Sequence, residues 1–116
     1  MTTTAIEAEL KWVVACDIAD IPSPGARCVR TPRGNVALFR TGTGELFALE
    51  DRCPHRGGPL SQGMVFGGHV ACPLHGMVFE LESGAAVAPD KGEVQRYPVR
   101  REGERVLIGL PLRDEA

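Results

Sequence analysis

Residues 35–50, NVALFRTGTGELFALE, place two short apolar runs on either side of Thr41-Gly42-Thr43-Gly44. Val, Leu and Phe suit a pleated, half-buried surface, and the glycines supply the positive φ that a tight turn between antiparallel strands requires. The stretch reads as a β-hairpin. The pattern repeats outward from it. KWVVACDI (11–18), ARCVR (26–30), HVACP (69–73), MVFEL (77–81), VQRYPVR (94–100) and RVLIGL (105–110) are short apolar runs, split by PSPG, TPRG, GG, SGAA and DKGE. No window of a dozen residues carries apolar side chains at helical spacing between caps, although TTTAIEAELK (2–11) could form a turn or a frayed helix. The expected fold class is all-β, an antiparallel sandwich or barrel.

A chain of 116 residues suits a single domain, 1–116, with a modest core. The net charge is -2, and Arg27, Arg30, Arg33 and Arg40 are dispersed among acidic and apolar positions, so no basic face for nucleic acid is expected. The N-terminal stretch MTTTAIEAELKWVV lacks a basic segment followed by an apolar run of signal length, and nowhere do eighteen apolar residues run together. A soluble, cytoplasmic protein without membrane contact is the expectation. In a reducing cytoplasm four cysteines are thiols or metal ligands more readily than a disulfide frame.

Two of them stand in matched loops. In DRCPHRGGPL (51–60) Cys53 and His55 form Cys-x-His; in ACPLHGMVFE (71–80) Cys72 and His75 form Cys-x-x-His; residues 56–71 separate the pairs. One short hairpin between the loops would bring two thiols and two imidazoles together. Two small buried thiols beside two loop histidines would be the structural alternative. A tetrahedral zinc site is another, since Cys₂His₂ suits Zn²⁺. The familiar zinc finger, however, groups both cysteines in one loop and both histidines in one helix turn, whereas each loop here carries one of each. That division suits a [2Fe-2S] centre in which one iron takes the thiolates and the other the imidazoles.

At this point CPH followed by RGGPL, and CPLHG followed by MVFEL, resemble the two cluster loops of the Rieske family. The resemblance covers residues from about 12 to 110 and implies a Rieske-type antiparallel β-sandwich with a small cluster-binding subdomain, its loops at about 51–80. It implies one [2Fe-2S] cluster per chain, with Cys53 and Cys72 on the inner iron and His55 and His75 on the outer, near the surface. Gly57, Gly58 and Gly76 would let backbone amides approach the sulfides, and Pro54, Pro59 and Pro73 would stiffen the loops. Val87, Ala88 and Pro89 in GAAVAPDKGE (84–93) match a proline loop that covers the cluster. The high-potential branch of the family has an additional cysteine in each loop, joined in a disulfide, where this chain has Gly58 and Leu74. It also has hydroxyl donors to sulfur where this chain has Met77 and Phe79. Both absences imply a low-potential carrier, because hydrogen bonds to sulfur stabilise the reduced cluster.

Other residues read as structural: His69 as a polar strand start and no ligand, Cys16 and Cys28 as buried apolar thiols, Phe66 and Phe79 as core, Trp12 as a packing anchor. With four ligands spent, only His69 remains, too few for the mononuclear iron of an oxygenase. No glycine-rich dinucleotide fingerprint follows a strand. The chain is expected to have no catalytic residues of its own, to act as an oxidoreductase subunit, and to exchange electrons through other proteins. VALFR (36–40), PLSQGMV (59–65) and AVAPDKG (86–92) look most like the small subunit of assimilatory NAD(P)H-dependent nitrite reductase. That resemblance implies a large subunit with FAD, [4Fe-4S] and sirohaem reducing nitrite to ammonia. Met77 stands where those subunits often have an aromatic residue. The alternative is a stand-alone Rieske ferredoxin between a ferredoxin reductase and an aromatic-ring dioxygenase, and a third reading is a zinc-binding interaction module.

Overall fold

The computed structural model describes residues 10–54, 57–74 and 76–111. Ten strands follow one another: β1 (Leu10–Asp17), β2 (Gly25–Thr31), β3 (Gly34–Arg40), β4 (Leu46–Glu50), β5 (Met64–Phe66), β6 (His69–Ala71), β7 (Val78–Glu80), β8 (Arg96–Tyr97), β9 (Val99–Glu102) and β10 (Arg105–Pro111). They form three antiparallel sheets, ordered β1-β10-β9, β2-β3-β4-β8 and β5-β6-β7. The described residues contain no α-helix, only the short 3-10 turns Ile18–Asp20 and Leu60–Gln62. No helix among them is long and apolar enough to cross a membrane. The all-β expectation holds.

The hairpin at 35–50 is central because both faces of its strands are covered. Alternate residues of a strand point to opposite faces, and here the two sets enter two different cores. Val36 and Leu38 of β3, with Ala48 of β4, pack with Ile18, Ile21, Val106, Ile108 and Leu110. Ala37, Phe39 and Leu49 pack instead with Cys53, Leu60, Val70, Cys72, Phe79 and Leu81. One hairpin thus joins a core built on β10 to a core built on the cysteine loops. Its turn is closed by the Thr41 N–H donating to the Glu45 carbonyl at 2.9 Å and the Gly44 N–H donating to the Thr41 carbonyl at 2.9 Å. Gly44 has φ +92°, which an L side chain rarely adopts.

Two sequence expectations change. The run MVF at 64–66 forms β5, unforeseen because three residues between glycines carry almost no local signal; pairing with β6 creates the strand. VQRYPVR is two strands rather than one. Pro98 has no N–H to donate to a ladder, and the chain changes sheets there, β8 pairing with β4 and β9 with β10. Of the possible turn or helix at 2–11, residues 2–9 lie outside the described residues, while Leu10 and Lys11 already belong to β1. Trp12 does anchor packing. Its ring lies against Gly109, its register partner, where a Cβ would stand 3.3 Å from the indole, and the Arg100 guanidinium covers it at 4.4 Å.

Candidate metal centre

The loop 72–77 springs from the tip of the β6–β7 ladder, where Ala71 and Val78 are register partners. Within it the Cys72 N–H donates to the Met77 carbonyl at 2.7 Å and the Gly76 N–H to the Cys72 carbonyl at 3.0 Å. The first loop repeats both bonds. Cys53 N–H donates to the Gly58 carbonyl at 2.8 Å, and Gly57 N–H to the Cys53 carbonyl at 2.7 Å. Gly57 and Gly76 occupy equivalent places with φ +72° and +75°, which explains a glycine four residues after each cysteine. Two loops of different strand context therefore present their cysteines in the same backbone frame.

Cys53 and Cys72 are 2% and 3% exposed and share one core cluster, and neither is in a disulfide. The first loop lies directly over the second: a Cβ added to buried Gly58 would stand 2.8 Å from Leu74 Cγ, 2.9 Å from its Cδ1 and 3.3 Å from Cys72 Sγ. Gly58 and Leu74, which match the bridged positions of high-potential Rieske proteins, are thus in contact, and an apolar contact stands in that place. Glycine backbone close to a buried sulfur, and two buried thiols in one cluster, form a donor set and a cradle that suit a thiolate-held iron-sulfur group. His55 and His75 lie outside the described residues. Met77 is partly buried and Phe79 fully buried in the same core, and neither carries a donor toward sulfur. The proline loop is fastened beside the first loop: Val87 N–H donates to the Val78 carbonyl at 2.8 Å, and a Cβ on Gly92 would stand 3.8 Å from Pro54 Cγ.

Two side chains expected inside are outside. Cys28 is exposed, and Phe66 is 44% exposed because β5 turns Val65 inward instead. Phe66 stacks on His69, the first residue of β6, with ring centroids 5.7 Å apart and an interplanar angle of 20°. Cys16 is half-buried. Partial burial pushes its thiol up, Arg27 opposing. Partial burial also raises the Cys28 thiol, and Asp51, accepting from it, adds to the shift. Sequence reading missed the partner that Asp51 finds ten residues on, Ser61, whose N–H and hydroxyl both donate to its carboxylate. Its only trace in the sequence is an acid just before one cysteine loop and a serine just after it.

Comparison with known proteins agrees with this geometry. The model of a Rieske-like [2Fe-2S] domain matches residues 11–109. The chain is 34% identical over 101 residues to the ferredoxin component of the naphthalene 1,2-dioxygenase system of Pseudomonas aeruginosa, covering 86% of this chain and 96% of that one. It is 38% identical over 101 residues to the 3-phenylpropionate/cinnamic acid dioxygenase ferredoxin subunit of Escherichia coli K12, covering 85% and 93%. Among solved structures, a Mycobacterium tuberculosis chain assigned to the small subunit of NADH-dependent nitrite reductase superposes with a TM-score of 0.79 at 25% identity, over 86% of this chain and 95% of that one. The implied cofactor is a Rieske-type [2Fe-2S] cluster, and the zinc alternative is set aside. With buried cysteines in paired loops of an all-β scaffold and a family match over nearly its whole length, the chain belongs to the Rieske-like [2Fe-2S] family and is a Rieske iron-sulfur electron-transfer protein.

Proposed function

We propose that this chain is the ferredoxin of an oxygenase system, taking electrons from a ferredoxin reductase and delivering them to an aromatic-ring dioxygenase or a related oxygenase. The observation that carries the reading is the 38% identity to a dioxygenase ferredoxin subunit across 93% of that subunit's length. The two ferredoxin relatives serve oxygenases for different substrates, so substrate choice resides in the oxygenase. Cys53 and Cys72 would hold one iron of the cluster, and His55 and His75 the other. When bound, the cluster supplies one-electron transfer at a potential of about -150 mV, the low end of the Rieske range. The chain's own part is to keep the thiolates buried and dry among Leu60, Val70 and Phe79, and to withhold hydroxyl donors at Met77 and Phe79. The whole chain acts as one cytoplasmic domain without catalytic residues.

A second reading, the small subunit of NAD(P)H nitrite reductase, draws on the 0.79 TM-score to such a subunit and on VALFR, PLSQGMV and AVAPDKG. Its partner would be a large subunit with FAD, [4Fe-4S] and sirohaem. Anaerobic purification from the native host distinguishes the two. Reduction by NADH through a separate flavin reductase, followed by reoxidation by an oxygenase with mononuclear iron, supports the ferredoxin. Tight association with a sirohaem subunit and NADH-dependent nitrite consumption overturns it in favour of the second reading.

A further inference from the structure

The two cysteine loops share their backbone hydrogen bonds but not their closure. The second is closed at its base by the Ala71–Val78 pair of the β6–β7 ladder. The first has no ladder beneath it: Glu50, the end of β4, pairs with Val36 of β3, and the chain leaves the loop into the 3-10 turn Leu60–Gln62. A side chain spans the base instead. Asp51 Oδ1 accepts the Ser61 N–H at 2.7 Å, and Oδ2 accepts the Ser61 hydroxyl at 2.7 Å. Asp51 is itself tied to the start of β3, its N–H donating to the Asn35 carbonyl at 3.0 Å. A carboxylate accepting two hydrogen bonds forms a strong, directional link, so Asn35, Asp51 and Ser61 act as one clamp across the loop that carries Cys53.

We propose that Asp51 and Ser61 are positioning residues for the cluster, the clamp determining how firmly the first loop retains it and the carboxylate charge lowering its potential. The proposal rests on the ligand assignment above. It separates into geometry and charge. Shortening either side chain opens the loop, whereas Asn at position 51 can still accept from the Ser61 N–H and donate to its hydroxyl while removing the negative charge two residues before Cys53. A negative charge there disfavours an added electron.

The test compares the purified holoprotein with Asp51→Ala, Asp51→Asn, Ser61→Ala and Ser61→Thr. Cluster release into a ferrous chelator should be severalfold faster in Asp51→Ala and Ser61→Ala and near the wild-type rate in Ser61→Thr and Asp51→Asn. Deuterium exchange should rise in the peptide spanning 51–61 of the two alanine variants and stay unchanged in the peptide spanning 71–78. The potential should rise in Asp51→Asn although its cluster is retained. Wild-type release and exchange in both alanine variants, or an unshifted potential in Asp51→Asn, overturns the proposal. If Asp51→Ala does not fold, Ser61→Ala and Asp51→Asn carry the same readouts. Exchange reports the clamp independently of iron, so a wrong ligand assignment would appear separately, as a cluster that survives Cys53→Ala.

Discussion

Replacing Gly58 with alanine tests the contact between the two loops directly. Gly58 lacks a left-handed φ, so alanine meets no backbone penalty and the effect comes from the new methyl alone. That methyl would stand 2.8 Å from Leu74 Cγ and 3.3 Å from Cys72 Sγ, against an ordinary carbon contact of about 3.5–4.0 Å. Leu74 is 51% exposed and can swing toward solvent, at a rotamer cost of about 0.5–1.5 kcal/mol. Cys72 is buried and has no such freedom. Overpacking of this kind costs about 1–3 kcal/mol, and the loss of glycine's freedom in the unfolded chain offsets about 0.4–1 kcal/mol of it. A net loss of about 1 kcal/mol lowers the melting midpoint by about 4 °C in a chain of 116 residues. The assay is a double-mutant cycle with Leu74→Ala, following the visible absorbance of the cluster and the melting midpoint. Removing the leucine should relieve the alanine, with a coupling of at least about 0.5 kcal/mol. A Gly58→Ala protein as stable as wild type, or equally destabilised with and without Leu74, would refute the reasoning.

Other predictions follow from the same structure. Alanine at Cys53, His55, Cys72 or His75 should abolish or transform the cluster, whereas His69→Ala, Cys16→Ser and Cys28→Ser should keep it; iron and sulfide analysis with EPR decides. Phe79→Tyr and Met77→Ser should each raise the potential by tens of millivolts if the new hydroxyl reaches sulfur, since one net hydrogen bond of about 1 kcal/mol corresponds to about 40 mV for one electron; voltammetry measures this, and a wild-type potential near +300 mV would contradict the low-potential reading. Burial raises Cys16, Cys28 and Tyr97 alike, so the folded state holds their protons more tightly than the unfolded one. Their contribution to stability is present below the ordinary thiol and phenol ranges and is lost as pH rises through the shifted values, and Tyr97→Phe should flatten that alkaline decline in denaturation curves. Arg100→Ala should uncover the single tryptophan, red-shifting its emission, and cost about 0.5–1 kcal/mol.

The sequence alone determined the β class, the turn at Gly44 and the two cysteine loops, because each is written in neighbouring residues: apolar runs, glycines at positive φ and a cysteine four places before a glycine. What lies on either side of a strand is a matter of what packs there later. Alternation in VALFR could not reveal that Val36 and Leu38 face one core and Ala37 and Phe39 another, since a strand covered on both faces reads as a continuous apolar run. The same limit explains Phe66, which ends up on the uncovered face of β5, and Cys28, which pairs with buried Ala37 but lies on the edge strand β2, where the core ends. β5 exists through its pairing with β6, and Pro98 divides a single apolar run because two different sheets compete for its halves. The Asp51–Ser61 clamp and the Gly58–Leu74 contact join residues ten and sixteen positions apart. Only the folded loops bring those groups within bonding distance, because side-chain hydrogen bonds and van der Waals contacts act over a few ångströms in space and leave no periodicity in the chain.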